Sequence, residues 1–310
     1  MNEFELIAQW TRSLPGNASV VVGPGDDCAV LDSGQPGRYL LLKTDAVVQG
    51  IHFSPDAEPE RIGHKALGRC LSDIAAMAGR PIAALVTMAL PNDFAPAFLQ
   101  CIYSGMNRLA EQHGVAIVGG ETTTNPERLL ISVCLLGDVA AHKCILRSGA
   151  KSGDALFVTG ELGGSLAGRH LEFEPRLAEA RWLADQFPIH SMIDLSDGLA
   201  GDLRHVLQCS HVGAEVLARA IPISRAARLQ AKAESSAKTP LLAALSDGED
   251  FELLFTVAGR DAVPLLDAWK KQFPGLRLSC IGRITSTPGL KLRDKTGVHS
   301  LEAHGYVHFA

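Results

Sequence analysis

Apolar residues recur along this chain in two rhythms. Over residues 59–78, Ile62, Ala66, Leu67, Cys70, Ile74 and Met77 stand three and four positions apart, which predicts a helix with one buried stripe. Over 96–113 the pattern returns in Leu99, Ile102, Met106 and Leu109, and Gly114 is placed to end that helix. Apolar runs at 39–42, 82–90, 115–118 and 129–136 have strand length and predict the sheet these helices cover. The polar, small-residue stretch 147–154 then interrupts the pattern. Beyond it a strand is predicted at 155–159, helical stretches at 164–170 and 175–187, a strand ending at Ile193, a helix from Gly198, a strand at 251–257 and a last strand at 276–281. Both halves read as α/β, and the interruption predicts domains at 1–140 and 141–310.

Length agrees with two domains, since 310 residues exceed what one compact core usually holds. A composition of 46% hydrophobic, 20% charged and 5% aromatic residues is that of a globular protein. The net charge of −5 gives no overall electrostatic footprint for nucleic acid or an anionic membrane. The acidic start and the lack of a bilayer-length apolar run lead to the expectation of a cytoplasmic protein. Seven cysteines lie scattered without a C-x-x-C pair, mostly within apolar stretches, so they are expected to be buried free thiols rather than zinc ligands or disulfides.

Candidate chemistry lies at the ends of the apolar runs, where acidic residues sit beside Gly, Ser or Thr. The turns are Gly25-Asp26-Asp27, Thr44-Asp45, Leu71-Ser72-Asp73, Gly119-Gly120-Glu121-Thr122-Thr123, Asp194-Leu195-Ser196-Asp197-Gly198 and Asp247-Gly248-Glu249-Asp250. Any one of them is explained by capping or turn preference. Their repetition is better explained by ligands, because strand ends are where α/β folds bind phosphates and metals. Asp73 is the hardest to explain locally. It sits on the rim of a buried stripe, where an unpaired carboxylate costs several kcal/mol, and Arg69 is the only basic residue one turn away. The structural reading is an Asp73–Arg69 ion pair. The functional reading is a hard divalent cation such as Mg²⁺ shared with the other turns. Gly120 and its neighbours permit close backbone approach to a phosphate. Neither a P-loop nor a dinucleotide fingerprint is present: Ala150 stands where the former needs glycine, and Gly23-Pro24-Gly25-Asp26-Asp27-Cys28 lacks the last glycine of the latter.

In order, these turns resemble the thiamine-monophosphate kinase family, part of the superfamily that includes aminoimidazole ribonucleotide synthetase and selenophosphate synthetase. The resemblance also takes in His52-Phe53, Arg147-Ser148-Gly149-Ala150-Lys151, Phe251-Glu252-Leu253 and Gly305-Tyr306-Val307-His308-Phe309, so it spans nearly the whole chain. It implies an N-terminal mixed sheet with helices that forms the core of a homodimer, and a C-terminal α/β sandwich that closes over the nucleotide. The implied activity is transfer of the terminal phosphoryl group of ATP to thiamine monophosphate, with several Mg²⁺ ions. The implied metal ligands are Asp27, Thr44, Asp45, Asp73, Glu121, Asp194 and Asp197. ATP contacts would fall on Gly120, Glu121, Arg147 and Ser196, and thiamine monophosphate contacts on His52, Glu249 and Tyr306. Asp45, Asp73, Arg147 and Asp197 would serve catalysis. On their own residues, Arg147 equally fits a solvated surface arginine, His52 a satisfied histidine and Tyr306 an interfacial aromatic. The chain departs from the family pattern at Glu121 (usually Asp), Lys43 (often Ser), Cys70 (usually Asn) and Asp247 (usually Gly or another small residue), and its segment 172–176 keeps only the final Pro-Arg. Two other readings are a different ATP-dependent synthetase of the superfamily and a nucleotide- and metal-binding protein that has lost turnover.

Overall fold

The computed structural model describes residues 3–233 and 238–301. Helix α1 (Glu3–Thr11) precedes a sheet built from β1 (Val20–Val22), β2 (Ala29–Asp32), β3 (Arg38–Val48), β4 (Arg80–Leu90), β5 (Ala116–Thr124) and β6 (Leu130–Ala140). Its order is β1-β2-β3-β6-β4-β5, antiparallel except where β4 pairs with β5. Helices α2 (Pro59–Ala76) and α3 (Pro96–His113) connect the strands, each with proline in its first turn, where the missing N–H costs nothing. The apolar stripe expected on α2 is buried throughout, and Gly114 ends α3 in the left-handed conformation at φ 68°. The two helices cross backbone to backbone. A Cβ on Gly63 would lie 1.9 Å from the Ile102 carbonyl oxygen, and one on Gly105 would lie 1.8 Å from that of Glu60. Only glycine fits either position.

A second sheet contains β7 (Asp154–Thr159), β8 (Ile189–Asp194), β9 (Gly213–Leu217), β10 (Leu253–Ala258), β11 (Leu278–Thr285), β12 (Gly289–Asp294) and β13 (Gly297–Ser300), in the order β13-β12-β9-β11-β7-β10-β8. Its helices are α4 (Leu177–Gln186), α5 (Leu199–Ser210), α6 (Arg225–Gln230), α7 (Pro240–Ser246) and α8 (Ala262–Gln272). Strand β7 is buried on both faces, as an unbroken apolar run should be. Phe157 and Phe255 point into the apolar cluster that also holds Ile62, Leu67 and Ile131 of the first sheet's layer. Leu156 and Leu254 point into a separate cluster with Leu203 and Ala244. The larger core is therefore continuous across both sheets.

Several sequence-based expectations need correction. The helix expected at 164–170 is two 3₁₀ turns, Ser165–Ala167 and Arg169–Leu171, because Gly163, Gly164 and Gly168 all take positive φ and interrupt an α-helix. The strand expected to be last is followed by β12 and β13, whose charged, largely exposed sequences carry no apolar run. Strands β1, β2 and β9 and helices α6, α7 and α8 lacked a long enough periodic signal. All seven cysteines are free, but only Cys28 and Cys70 are buried, while Cys209 and Cys280 are exposed. Apolar neighbours in sequence overstate burial, because adjacent residues on a helix or strand face different ways.

Candidate active site

Helix α2 carries a second, polar stripe beside its apolar one. Lys65, Arg69, Ser72 and Asp73 succeed one another at helical spacing, and each reaches a residue distant in sequence. Ser72 donates to Asp194 Oδ2 over 2.5 Å at the end of β8. Asp73 Oδ1 lies 2.8 Å from Lys43 Nζ on β3. The Asp73–Arg69 ion pair of the structural reading does not form: Arg69 donates to the Ala46 carbonyl and lies 3.8 Å from Asp45. Lys43 and Asp45 share a face of β3, so strand alternation brings both toward α2.

Ligand oxygens of Asp27, Asp73 and Asp194 all lie within 4.8 Å of one another, and the three residues are buried. Burial and the neighbouring Asp27 push the Asp194 carboxyl up to about 7. Asp73 is raised well above the usual range by burial, with Asp45, Asp194 and Asp27 adding to the rise against the pull of Lys43. Asp27 Oδ1 accepts from Arg147 Nη2 at 2.7 Å and Nε at 3.3 Å, whereas its buried Oδ2 has no hydrogen-bond partner among the described residues. Asp26 accepts from the Arg147 backbone N–H, and burial together with the Asp27 charge raises it to about 6. An orphaned oxygen among converging hard donors fits a hard divalent cation, for which oxygen ligands are the matching chemistry. Asp27, Asp73 and Asp194 would hold it.

Beside the cluster lies a cavity of about 110 Å³. Its apolar side is Ile51, Leu166 and Phe251, and its polar lining is His52, Arg69, Ser196, Asp197, Asp247 and Glu249. Ser196 and Asp197 directly follow the buried Asp194, in the turn before α5. There Asp202 Oδ2 accepts the backbone N–H groups of Asp197 and Gly198, both at 3.1 Å. Burial works against the Glu249 carboxylate, but His170 and Lys65 outweigh it and hold the group down near about 2.

The fold thus gathers most of the sequence-predicted site. Asp27, Asp73 and Asp194 form the cluster, Asp45 and Arg147 adjoin it, and His52, Ser196, Asp197 and Glu249 line the cavity. Thr44 is not brought in by its side chain: alternation turns it to the opposite face of β3, where its hydroxyl lies 3.4 Å from Ser132 Oγ. Gly120 and Glu121 lie exposed on the edge strand β5, with β6 and β4 between them and β3. Gly120 packs so closely there that an added Cβ would stand 1.8 Å from the Val86 oxygen. Tyr306 lies outside the described residues. Sequence reading passed over Lys65, His170 and Asp202, and did not foresee the Lys43 pairing. The four-residue spacing of Lys65, Arg69 and Asp73 was the available signal.

The chain is similar to known proteins along its whole length. The family model for the AIR synthase related protein N-terminal domain matches residues 25–139. The thiamine-monophosphate kinase of Rhodopirellula baltica is 42% identical over 307 residues, covering 96% of this chain and 93% of the relative. That of Bacillus subtilis is 34% identical over the full length of both. A solved structure described as AaThiL complexed with AMPPCP and TMP superimposes with a TM-score of 0.84 at 30% identity, covering 99% of this chain and 97% of that one. With such identity maintained from end to end, the chain belongs to the thiamine-monophosphate kinase family.

Proposed function

We propose that this protein phosphorylates thiamine monophosphate to thiamine diphosphate with ATP, by direct in-line transfer. The observation that carries the reading is the convergence of Asp27, Asp73 and Asp194, buried and partly unsatisfied, beside a cavity bordered by His52 and Glu249. The acceptor is a phosphate monoester whose oxygen is already anionic at neutral pH, so it needs little help from a general base. That oxygen forms a bond to the γ-phosphorus as the bond from phosphorus to the bridging oxygen breaks and ADP leaves. Mg²⁺ held by these carboxylates would offset repulsion between the two polyanions. Arg147, fixed at both its side chain and its backbone by Asp27 and Asp26, is poised to steady phosphate oxygens. Glu249 and Asp197 present negative charge suited to a cationic thiazolium ring, while Phe251, Ile51 and Leu166 offer an apolar wall.

The proposal extends to organisation. Residues 1–140 would supply Asp27 and Asp73 of the metal site and the dimer contacts, and residues 141–310 would add Asp194 and cover nucleotide and acceptor. The face of the first sheet turned away from α2 exposes Leu42 at 41%, Leu85 at 48% and Val118 at 64%, and β5 is an open edge. Such a surface favours covering by a second copy, which would also bring Gly120 and Glu121 into an interface. Among the described residues no helix is long and apolar enough to cross a membrane, in keeping with the cytoplasmic location we propose.

Purified protein incubated with ATP, Mg²⁺ and thiamine monophosphate tests the reading. Formation of ADP and thiamine diphosphate in equal amounts is the expected result. ADP without thiamine diphosphate would point to another acceptor, and tight ATP binding with neither product to a binding protein.

A further inference from the structure

Lys65 is among the largest side chains in the core and is 0% exposed, an unusual place for a lysine. Its ammonium has three N–H bonds, and two acceptors and a histidine nitrogen stand within reach. The His52 carbonyl oxygen is at 2.5 Å, Glu249 Oε2 at 2.5 Å and His170 Nδ1 at 2.7 Å. His170 Nδ1 and Glu249 Oε2 are themselves 2.8 Å apart, so the three side chains close a triangle. These partners come from separate parts of the chain: the turn after β3, the 3₁₀ turn at Arg169–Leu171, and the turn before β10. Two of them, His52 and Glu249, line the cavity, while Lys65 is absent from its wall.

The backbone at Glu249 is held just as firmly. Its φ of 53° lies in the left-handed region, its N–H donates to the Ser196 carbonyl at 2.7 Å, and its own carbonyl accepts from Ser165 Oγ at 2.6 Å. A non-glycine residue keeps such a conformation only where its surroundings impose it. Glu249 Oε2 is taken up by Lys65 and His170, and Oε1 has no hydrogen-bond partner among the described residues.

From this we infer that Lys65 is a positioning residue for the acceptor: it fixes Glu249 and the His52 turn to each other across the cavity, and so sets the geometry in which thiamine monophosphate is held. The inference rests on the proposed function and deepens it. Lys65 never touches substrate. An apolar replacement leaves Glu249 and the His52 carbonyl without their shared donor, so the damage falls on acceptor binding rather than on ATP.

The test is a double-mutant cycle using Lys65→Met, Glu249→Gln and the double variant, with Lys65→Gln as a second probe that keeps an amide donor if Lys65→Met does not fold. Steady-state KM and kcat are measured separately for thiamine monophosphate and ATP. Loss of a charged hydrogen bond predicts a rise of about tenfold or more in KM for thiamine monophosphate, with KM for ATP changed less than about threefold. Because Lys65 acts through Glu249, its replacement in the Glu249→Gln background should raise KM by less than about threefold more. Fully multiplicative effects, or a fall in kcat with KM for thiamine monophosphate unchanged, would overturn the inference. Wild-type protein separates the two levels. Absence of thiamine diphosphate from the wild type sinks the function and this inference together, whereas normal wild-type turnover with an indifferent Lys65 sinks the inference alone.

Discussion

Replacing Asp73 by Asn separates a catalytic carboxylate from a structural one. Asp73 shares its cluster with Asp27 and Asp194 at up to 4.8 Å and pairs with Lys43 at 2.8 Å. With all of these groups ionised and an effective dielectric of about 20, each like-charged pair at the longer distance costs roughly 3.5 kcal/mol and the Lys43 pair returns roughly 6 kcal/mol; where burial keeps Asp73 protonated, both terms shrink together. Neutralising Asp73 therefore relieves about 7 kcal/mol and forfeits about 6 kcal/mol, leaving stability within about 2 kcal/mol of the wild type. Metal binding has no such compensation. Removing even an outer-shell partner of a ligand costs about 10- to 100-fold in affinity, so loss of a direct ligand should cost at least about 100-fold. Urea unfolding of the metal-free protein, Mn²⁺ titration calorimetry and ADP release would be measured on the same preparation. A variant that melts many degrees lower yet turns over normally when folded would refute the reasoning, because Asp73 would then be a structural group.

Three further outcomes follow from the same geometry. The carboxyls of Asp194 and Asp26, raised from the usual 3.8 to about 7 and about 6, keep a proton in the folded state that the unfolded chain has lost. Their contribution to stability is therefore full below about pH 4 and lost as pH rises toward 7. Protons compete with Mg²⁺ for the same oxygens, so the rise in Tm on adding Mg²⁺ should be larger at pH 8 than at pH 6; an equal rise would place the bound ion elsewhere. Glu252 is 1% exposed and accepts from Arg176 at 2.7 and 2.8 Å, Arg169 at 3.1 Å and Thr159 at 2.7 Å. Glu252→Gln should destabilise by about 2–4 kcal/mol in urea unfolding, and a change under about 0.5 kcal/mol would show the network to be dispensable. Val118→Arg places a charge on the uncovered sheet face and should convert the proposed dimer to monomers in analytical ultracentrifugation; an unaltered sedimentation coefficient would contradict an interface on this face.

The sequence made the acidic turns visible because glycine and small polar residues beside carboxylates mark strand ends, and α2 and α3 visible because their apolar stripes are long. It could not reveal the partners. For an ion pair with Asp73 the sequence offered only Arg69, four residues away, yet Lys43 reaches it because the parity of β3 turns Lys43 and Asp45 toward α2, a consequence of tertiary packing. Lys65 and Glu249 are separated by 184 positions, and no local rhythm connects them. The same parity that brings Asp45 inward turns the Thr44 hydroxyl away. Strands β12 and β13, the last two at one end of the second sheet, stayed hidden because strands facing solvent need no apolar pattern.

The central claim is that carboxylates distant in the chain gather to hold divalent cations between two anionic reactants. Crystals grown with Mn²⁺ and a non-hydrolysable ATP analogue test it through the anomalous signal of the metal. The predicted result is a peak within coordination distance of Asp27, Asp73 and Asp194 that also contacts the analogue's phosphates. Phosphates bound with no metal at these three residues, or Mn²⁺ found only at other carboxylates, would contradict it.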